Sequence, residues 1–267
     1  MEFPNFFGRL LVICPHFDDA CFSIGGFLLK KPFESVTILT IFSKSQHAPN
    51  YRLFYPLMIT NNHLHLDLLN KTLKEVISKV RKKEDSKFCR QIGAIQSVLP
   101  FEDSSLRGCP AYNPIFSRTE IDSDPISGPV FKAIEKWVFS GAFDSILCPM
   151  GIGNQVDHLI VLSAIEKLFE IKPSPQVNLF FYEDLPYSDW YELDLISSLA
   201  CERIFSDSQL FIEITNEILL KQSLMDIYFS QGQEKAPILR HAKRLTSVNN
   251  NGIKNGFYER IWRFGFS

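Results

Sequence analysis

Two short segments hold residue types that together do metal chemistry. Pro15-His16-Phe17-Asp18-Asp19 places one imidazole and two carboxylates side by side, directly after an apolar run. Imidazole nitrogen and carboxylate oxygen are both ordinary zinc ligands. Adjacent Asp18 and Asp19 cannot easily reach one ion together, so one is expected to bind a metal while the other faces the neighbouring water. A metal that lowers the pKa of its water to roughly 7, beside a carboxylate that takes the proton, is the equipment of a metal hydrolase. The competing reading is that one aspartate simply caps the helix that follows. The second segment, Pro149-Met-Gly-Ile-Gly-Asn-Gln155-Val-Asp157-His158, also follows an apolar run and also opens a helix. A lone histidine there serves as readily for capping or packing. The pair of segments is more specific than either, because a catalytic zinc usually takes three protein ligands and a water.

Elements of regular structure must bring these segments together. Residues 8–14 read as a buried strand, 20–30 as a helix whose Gly25-Gly26 implies close packing, and 35–42 as a second, β-branched strand. That is a βαβ unit with parallel strands. Residues 144–148 read as the strand before the second segment, and a helix is expected from about 155 to 170. Further helices are expected over 71–95, 129–139, 188–201, 216–230 and 235–247. Further strands are expected over 95–101, 176–182 and 257–264, with two short ones within 202–214. Residues 107–127 read as loop. Residues 43–70 are irregular and long for a connection, which favours a functional loop. Alternating strands and helices predict an α/β fold with a mostly parallel, doubly wound sheet in a single domain over 1–267. Ligands bind such sheets beyond the carboxyl ends of the strands, where both segments fall.

Composition narrows the partners. Among 267 residues, 28 basic and 30 acidic ones give a net charge of -2, which disfavours a nucleic-acid binder. The basic run at 79–83 is followed at once by Glu84 and Asp85 and reads as a solvated helix face. Six cysteines include no CxxC pair, and Cys14 and Cys148 sit in apolar runs as small hydrophobes. There is no basic-then-apolar leader and no apolar run of membrane-spanning length. The expectation is a reduced, cytoplasmic protein with no membrane or nucleic-acid partner. Nothing fixes the oligomeric state, and a homo-oligomer stays open.

The paired motifs, Pro-His-x-Asp-Asp after the first strand and x-x-Asp-His later, resemble those of the LmbE-like, or PIG-L, family of metal-dependent N-deacetylases. Other stretches are similar to family segments: RKKEDSKFCRQIGA at 81–94, FEDSSLRG at 101–108, YEDLPY at 182–187, KQSLMDIYFSQ at 221–231 and YERIW at 258–262. The resemblance runs from residue 8 to about 264. It implies a Rossmann-like fold and a zinc-dependent amide hydrolase acting on an N-acetylated amino sugar or glycoside; the sequence leaves iron, nickel or cobalt open for the same site. By position it implies His16, Asp19 and His158 as metal ligands and Asp18 as the general base. Asp157 would orient an imidazole or a substrate group.

One position departs from the family pattern. Gln155 stands where the family commonly has histidine. Glutamine can donate to a developing oxyanion but cannot deliver a proton. The expected mechanism therefore gives Gln155 the oxyanion, and His47, His63 and His65 are candidates for the missing imidazole. Arg107 is expected either to contact substrate or to pair with Glu102 or Asp103. Tyr182 is expected to reach the cleft, with Glu183 and Asp184 either doing the same or anchoring loops. Two other readings compete. One is a catalytically impaired, glycan-binding protein that kept the metal. The other is a dinucleotide loop at Gly151-x-Gly153, weakened by Val156 where a third glycine is needed.

Overall fold

Alternate residues of strand β1 (Arg9–Cys14) enter opposite cores: Leu11 and Ile13 one, Leu10, Val12 and Cys14 the other. A strand apolar at nearly every position suits a sheet buried on both faces. The chain is seen in a computed structural model that describes residues 7–48, 66–108, 118–172, 176–204, 209–232, 235–249 and 255–264. After β1 come α1 (Asp19–Lys30), β2 (Ser35–Thr40), α2 (Leu66–Ile92), β3 (Ile95–Val98), α3 (Ser104–Arg107), α4 (Arg118–Ser123), α5 (Ser127–Val138) and β4 (Ser145–Pro149). Then follow α6 (Val156–Ile171), β5 (Asn178–Tyr182), a 3-10 turn Tyr187–Trp190, α7 (Leu193–Ile204), β6 (Gln209–Glu213), α8 (Ile218–Met225), a 3-10 turn Phe229–Gln231, α9 (Lys235–Arg244) and β7 (Tyr258–Arg263).

The strands form one seven-stranded sheet in the order β3-β2-β1-β4-β5-β7-β6. The first five are parallel, and β7 runs antiparallel to both β5 and β6. This is the mostly parallel α/β sheet expected from the sequence. The order reverses between β1 and β4, so the loops leaving these two neighbours flank the crevice where doubly wound sheets bind ligands. Helices cover both faces. Residues of α5, α6 and α7 join one core, and residues of α1, α2, α8 and α9 the other.

Gly25 and Gly26 allow the close packing expected of them. A Cβ on Gly26 would stand 2.7 Å from Ile214 Cγ2, and one on Gly25 would stand 3.5 Å from Lys221 Cγ. The helix kinks at Ile24, and the N–H groups of Gly26 and Phe27 donate to the Glu259 carboxylate at 2.9 and 2.6 Å. Lys221 Nζ, fully buried, donates to the same carboxylate at 2.6 Å.

Several expectations are corrected. The stretch 107–127, expected as loop, contains α4 and the start of α5. A single strand, β6, is described within 202–214, where two were expected. The helix expected over 216–230 stops at Met225, because the next turn gives its backbone elsewhere: Ser230 N donates to Glu84 Oε1 at 2.9 Å. No helix among the described residues is long and apolar enough to cross a membrane.

Candidate metal centre and its cleft

The loop after β1 folds back on itself. His16 N donates to Asp19 Oδ2 at 2.6 Å, which ties the first residue of α1 to the end of the strand. Asp18 occupies the cap position of α1 but makes no capping hydrogen bond. Its Oδ1 instead accepts from Arg81 Nη2 at 3.0 Å. The loop after β4 turns through left-handed Gly151, Gly153 and Asn154. Gln155 then caps α6, its Oε1 accepting from Asp157 N at 2.6 Å and His158 N at 3.1 Å. That cap sets Asp157 and His158 in the first turn, facing the β1 loop.

His16, Asp19 and His158 each offer a ligand atom, and these atoms lie within 4.8 Å of one another. His158 Nε2 is 3.5 Å from Asp19 Oδ1, and His16 Nδ1 is 3.8 Å from Asp19 Oδ2. The other nitrogen of each ring is held by a carboxylate. His16 Nε2 donates to Asp157 Oδ2 at 2.9 Å, and His158 Nδ1 donates to Asp184 Oδ1 at 2.6 Å. Carboxylates placed this way orient ligating imidazoles. His158 Nε2 is buried and has no hydrogen-bond partner among the described residues. A buried polar atom left so is costly unless something else meets it. Two imidazole nitrogens and a carboxylate fit a divalent cation, zinc first among them.

The electrostatics follow from burial and pairing. Burial lowers the His158 pKa, but the charges of Asp19 and Asp184 outweigh it and push the ring up to about 9. A cation at the centre competes with that proton. Burial raises the Asp157 carboxyl, yet the His16 hydrogen bond and the His16 and Arg107 charges hold it well below its ordinary range.

The remaining candidates divide. Asp157 does orient an imidazole, that of His16, and also accepts from Ser104 N at 3.0 Å and from Gln155 Nε2 at 3.2 Å. Arg107 pairs with carboxylates other than the Glu102 and Asp103 expected of it. Its Nη1 lies 2.8 Å from Asp157 Oδ1 and donates to Glu102 O at 2.7 Å, while Nη2 donates to Asp124 Oδ2 at 3.3 Å. Through Asp157 it supports the centre, and it lines a neighbouring pocket with Asp124 and Val156. Tyr182 does not reach the cleft. It is fully buried and its hydroxyl donates to Ile13 O at 3.1 Å, across β4, because its position on β5 faces the core. Gln155 lines the cleft, but its Nε2 is shared between Ser104 Oγ at 3.3 Å and Asp157, and an oxyanion role would require it to leave them. Exposed His47 lines the cleft; His63 and His65 lie outside the described residues.

Two further groups act at the centre: Arg81, which had no assigned role in the sequence reading, and Asp184, which was expected to reach the cleft or to anchor a loop. Arg81, nearly buried on α2, joins Asp18 to Ser45, whose Oγ accepts from Nη1 at 3.1 Å. Asp184, just past β5 at the same sheet edge, holds His158 and also accepts from Ile152 N at 2.9 Å. Its place beyond a parallel strand was the available signal.

No family model matches the chain. A curated relative, a 2'-N-acetylparomamine deacetylase of Streptomyces fradiae, is 29% identical over 247 residues, covering 89% of this chain and 79% of that protein. Among solved structures, a deacetylase of the teicoplanin biosynthetic pathway superposes with a TM-score of 0.68 at 22% identity, covering 96% of this chain and 97% of its own. A zinc-inhibited form of a teicoplanin deacetylase superposes with a TM-score of 0.66 at 19% identity, with coverage of 96% and 97%. At such identities the superpositions speak for the fold. In sequence and in fold, the chain is similar to deacetylases, the activity expected from its paired motifs.

Proposed function

We propose that this protein hydrolyses the N-acetyl amide of an amino sugar or glycoside, with His16, Asp19 and His158 holding one divalent metal and Asp18 acting as general base. The observation that carries the reading is the convergence of the two loops: three ligand atoms within 4.8 Å, and a buried His158 Nε2 with no hydrogen-bond partner among the described residues. The relative's activity on 2'-N-acetylparomamine supports the substrate class. Zinc suits the donors best. Because one structural neighbour is a zinc-inhibited form, iron, nickel and cobalt belong in the same metal screen.

A bound divalent cation supplies an activated water near neutral pH and polarises the amide carbonyl. Asp18 does the proton work. Its Oδ1 is steadied by Arg81, and no protein group donates to its other oxygen among the described residues. That oxygen takes the proton of the attacking water and returns it to the departing amine nitrogen. Asp157 and Asp184 keep the two imidazoles in orientation. Gln155 serves chiefly as the cap that places Asp157 and His158.

The test measures metal content and acetate release together on parent, Asp18→Asn and His158→Ala proteins. The parent is expected to carry one ion per chain and to release acetate from N-acetyl amino sugars. Asp18→Asn should keep the ion and lose about 10²- to 10⁴-fold in rate, the usual worth of a positioned base. His158→Ala should lose the ion. Full activity in Asp18→Asn would remove Asp18 from its role. A second reading rests on Gln155, which cannot supply the proton a histidine would. It makes the protein a glycan binder, and it is the one left standing if the loaded parent binds glycans without releasing amine.

A further inference from the structure

Tyr187, on the cleft wall, belongs to an aromatic pair that the hydrolysis itself does not use. The Tyr187 ring meets the His158 ring edge-on at 5.6 Å between centroids, and the Trp190 ring meets Tyr187 edge-on at 5.3 Å. Tyr187 lines the cleft and Trp190 stands 59% exposed. A single exposed indole needs no explanation by itself. This one is held in place. Asp189, beneath it, is buried and paired with Arg240, and Arg244 donates to Asp189 O at 3.1 Å and to Tyr191 O at 2.9 Å. The same turn is tied to the metal centre through Asp184, whose carboxylate holds His158 and whose carbonyl accepts from Ser188 N at 2.8 Å and Ser188 Oγ at 2.9 Å.

A hydrogen-bonding group shares the cleft. Gln231 lines it, and its Nε2 donates to Ser230 Oγ at 3.0 Å while its amide oxygen has no partner among the described residues. Ser230 is in turn gripped by Glu84, which accepts from its N at 2.9 Å and its Oγ at 2.6 Å. Gln231 is thus a preorganised amide on a cleft wall.

We propose that Tyr187 and Trp190 form a stacking subsite for a second ring of the substrate, the sugar or cyclitol joined to the acetylated one, with Gln231 accepting from one of the substrate's hydroxyls. A saturated sugar ring presents an apolar C–H face and a polar rim. An aromatic surface beside an amide matches both. The subsite rests on the deacetylase reading only for the identity of the group that reacts at the centre.

The test is calorimetric titration of metal-loaded Asp18→Asn protein, which leaves the amide uncleaved. N-acetylglucosamine is the one-ring probe; N,N'-diacetylchitobiose and 2'-N-acetylparomamine are the two-ring probes. Trp190→Ala in that background is expected to weaken the tighter two-ring probe about tenfold more than the one-ring probe. Trp190→Tyr should recover most of the loss. Trp190 lies at the surface, so both variants are expected to fold. An equal effect on one- and two-ring probes, no effect, or no binding of either two-ring probe to the Asp18→Asn protein overturns the subsite. If ring-dependent binding stands while protein with Asp18 intact releases no acetate, the deacetylase reading fails and the subsite survives.

Discussion

Each imidazole of the centre points one nitrogen at Asp19 because a carboxylate holds the other: Asp157 for His16 and Asp184 for His158. Removing such a partner typically costs a metal site about 10- to 100-fold in affinity. Asp184→Ala is therefore expected to weaken zinc binding by that factor, read by competition with a chromophoric chelator. Asp184→Asn, which keeps an acceptor for His158 Nδ1, should retain most of the affinity. Equal affinities in all three proteins would mean that His158 is oriented by packing alone. The histidine and aspartate types were legible in the sequence because both loops leave apolar strands, and the sheet's geometry brings strand ends together. Arg81 was not legible as a partner of Asp18. It sits in the middle of a helix distant in sequence, and the approach of α2 to the β1 loop, not local spacing, selects it.

The element that decides the second loop is its turn. Gly153 adopts φ of 91°, and a Cβ there would stand 2.5 Å from Tyr187 Cβ. Both the backbone conformation and the neighbour exclude a side chain. Gly153→Ala is expected to cost at least about 2 kcal/mol, a fall in Tm of roughly 4–8 °C for a chain of this size. It should also displace the Tyr187 turn. Thermal unfolding checks it, and an unchanged Tm would mean that the turn yields without cost. At this scale the sequence was informative wherever an element was apolar throughout, as in β1, β2, β4 and β5. It was misleading where tertiary bonds end an element. α8 reads as continuing to residue 230, yet Glu84 takes the Ser230 backbone N–H and a separate turn forms. Tyr182 failed for a related reason: position on the strand, not proximity to its end, decides which face a side chain serves.

Across the whole molecule, two buried carboxyl groups pull stability in opposite directions with pH. Burial raises Glu183, but the Arg260 charge and the His241 hydrogen bond outweigh it and hold the group at about 2. A depressed carboxyl stabilises the fold above its unfolded value, about 4.3, and that contribution is lost as pH falls through about 2. Asp85 is the reverse. Burial pushes it up to about 7, despite hydrogen bonds from Gln96 and Tyr228. Its folded state favours the proton, so its contribution is fully present below about 4 and is lost as pH rises through about 7. Asp144 is also depressed, by Arg9, but that pair is solvent-exposed and carries little weight. Stability limited by these groups should therefore decline from mildly acidic to neutral pH, by on the order of a few kcal/mol from Asp85. Asp85→Asn cannot ionise. It loses one acceptor for Gln96 or Tyr228, which lowers stability at every pH, but the slope between pH 4 and 7 should flatten. Denaturant unfolding at several pH values measures that slope. A slope identical to the parent's would show that Asp85 stays ionised within the core, its charge met by Tyr228 and Gln96, and that the pH dependence of this fold arises elsewhere.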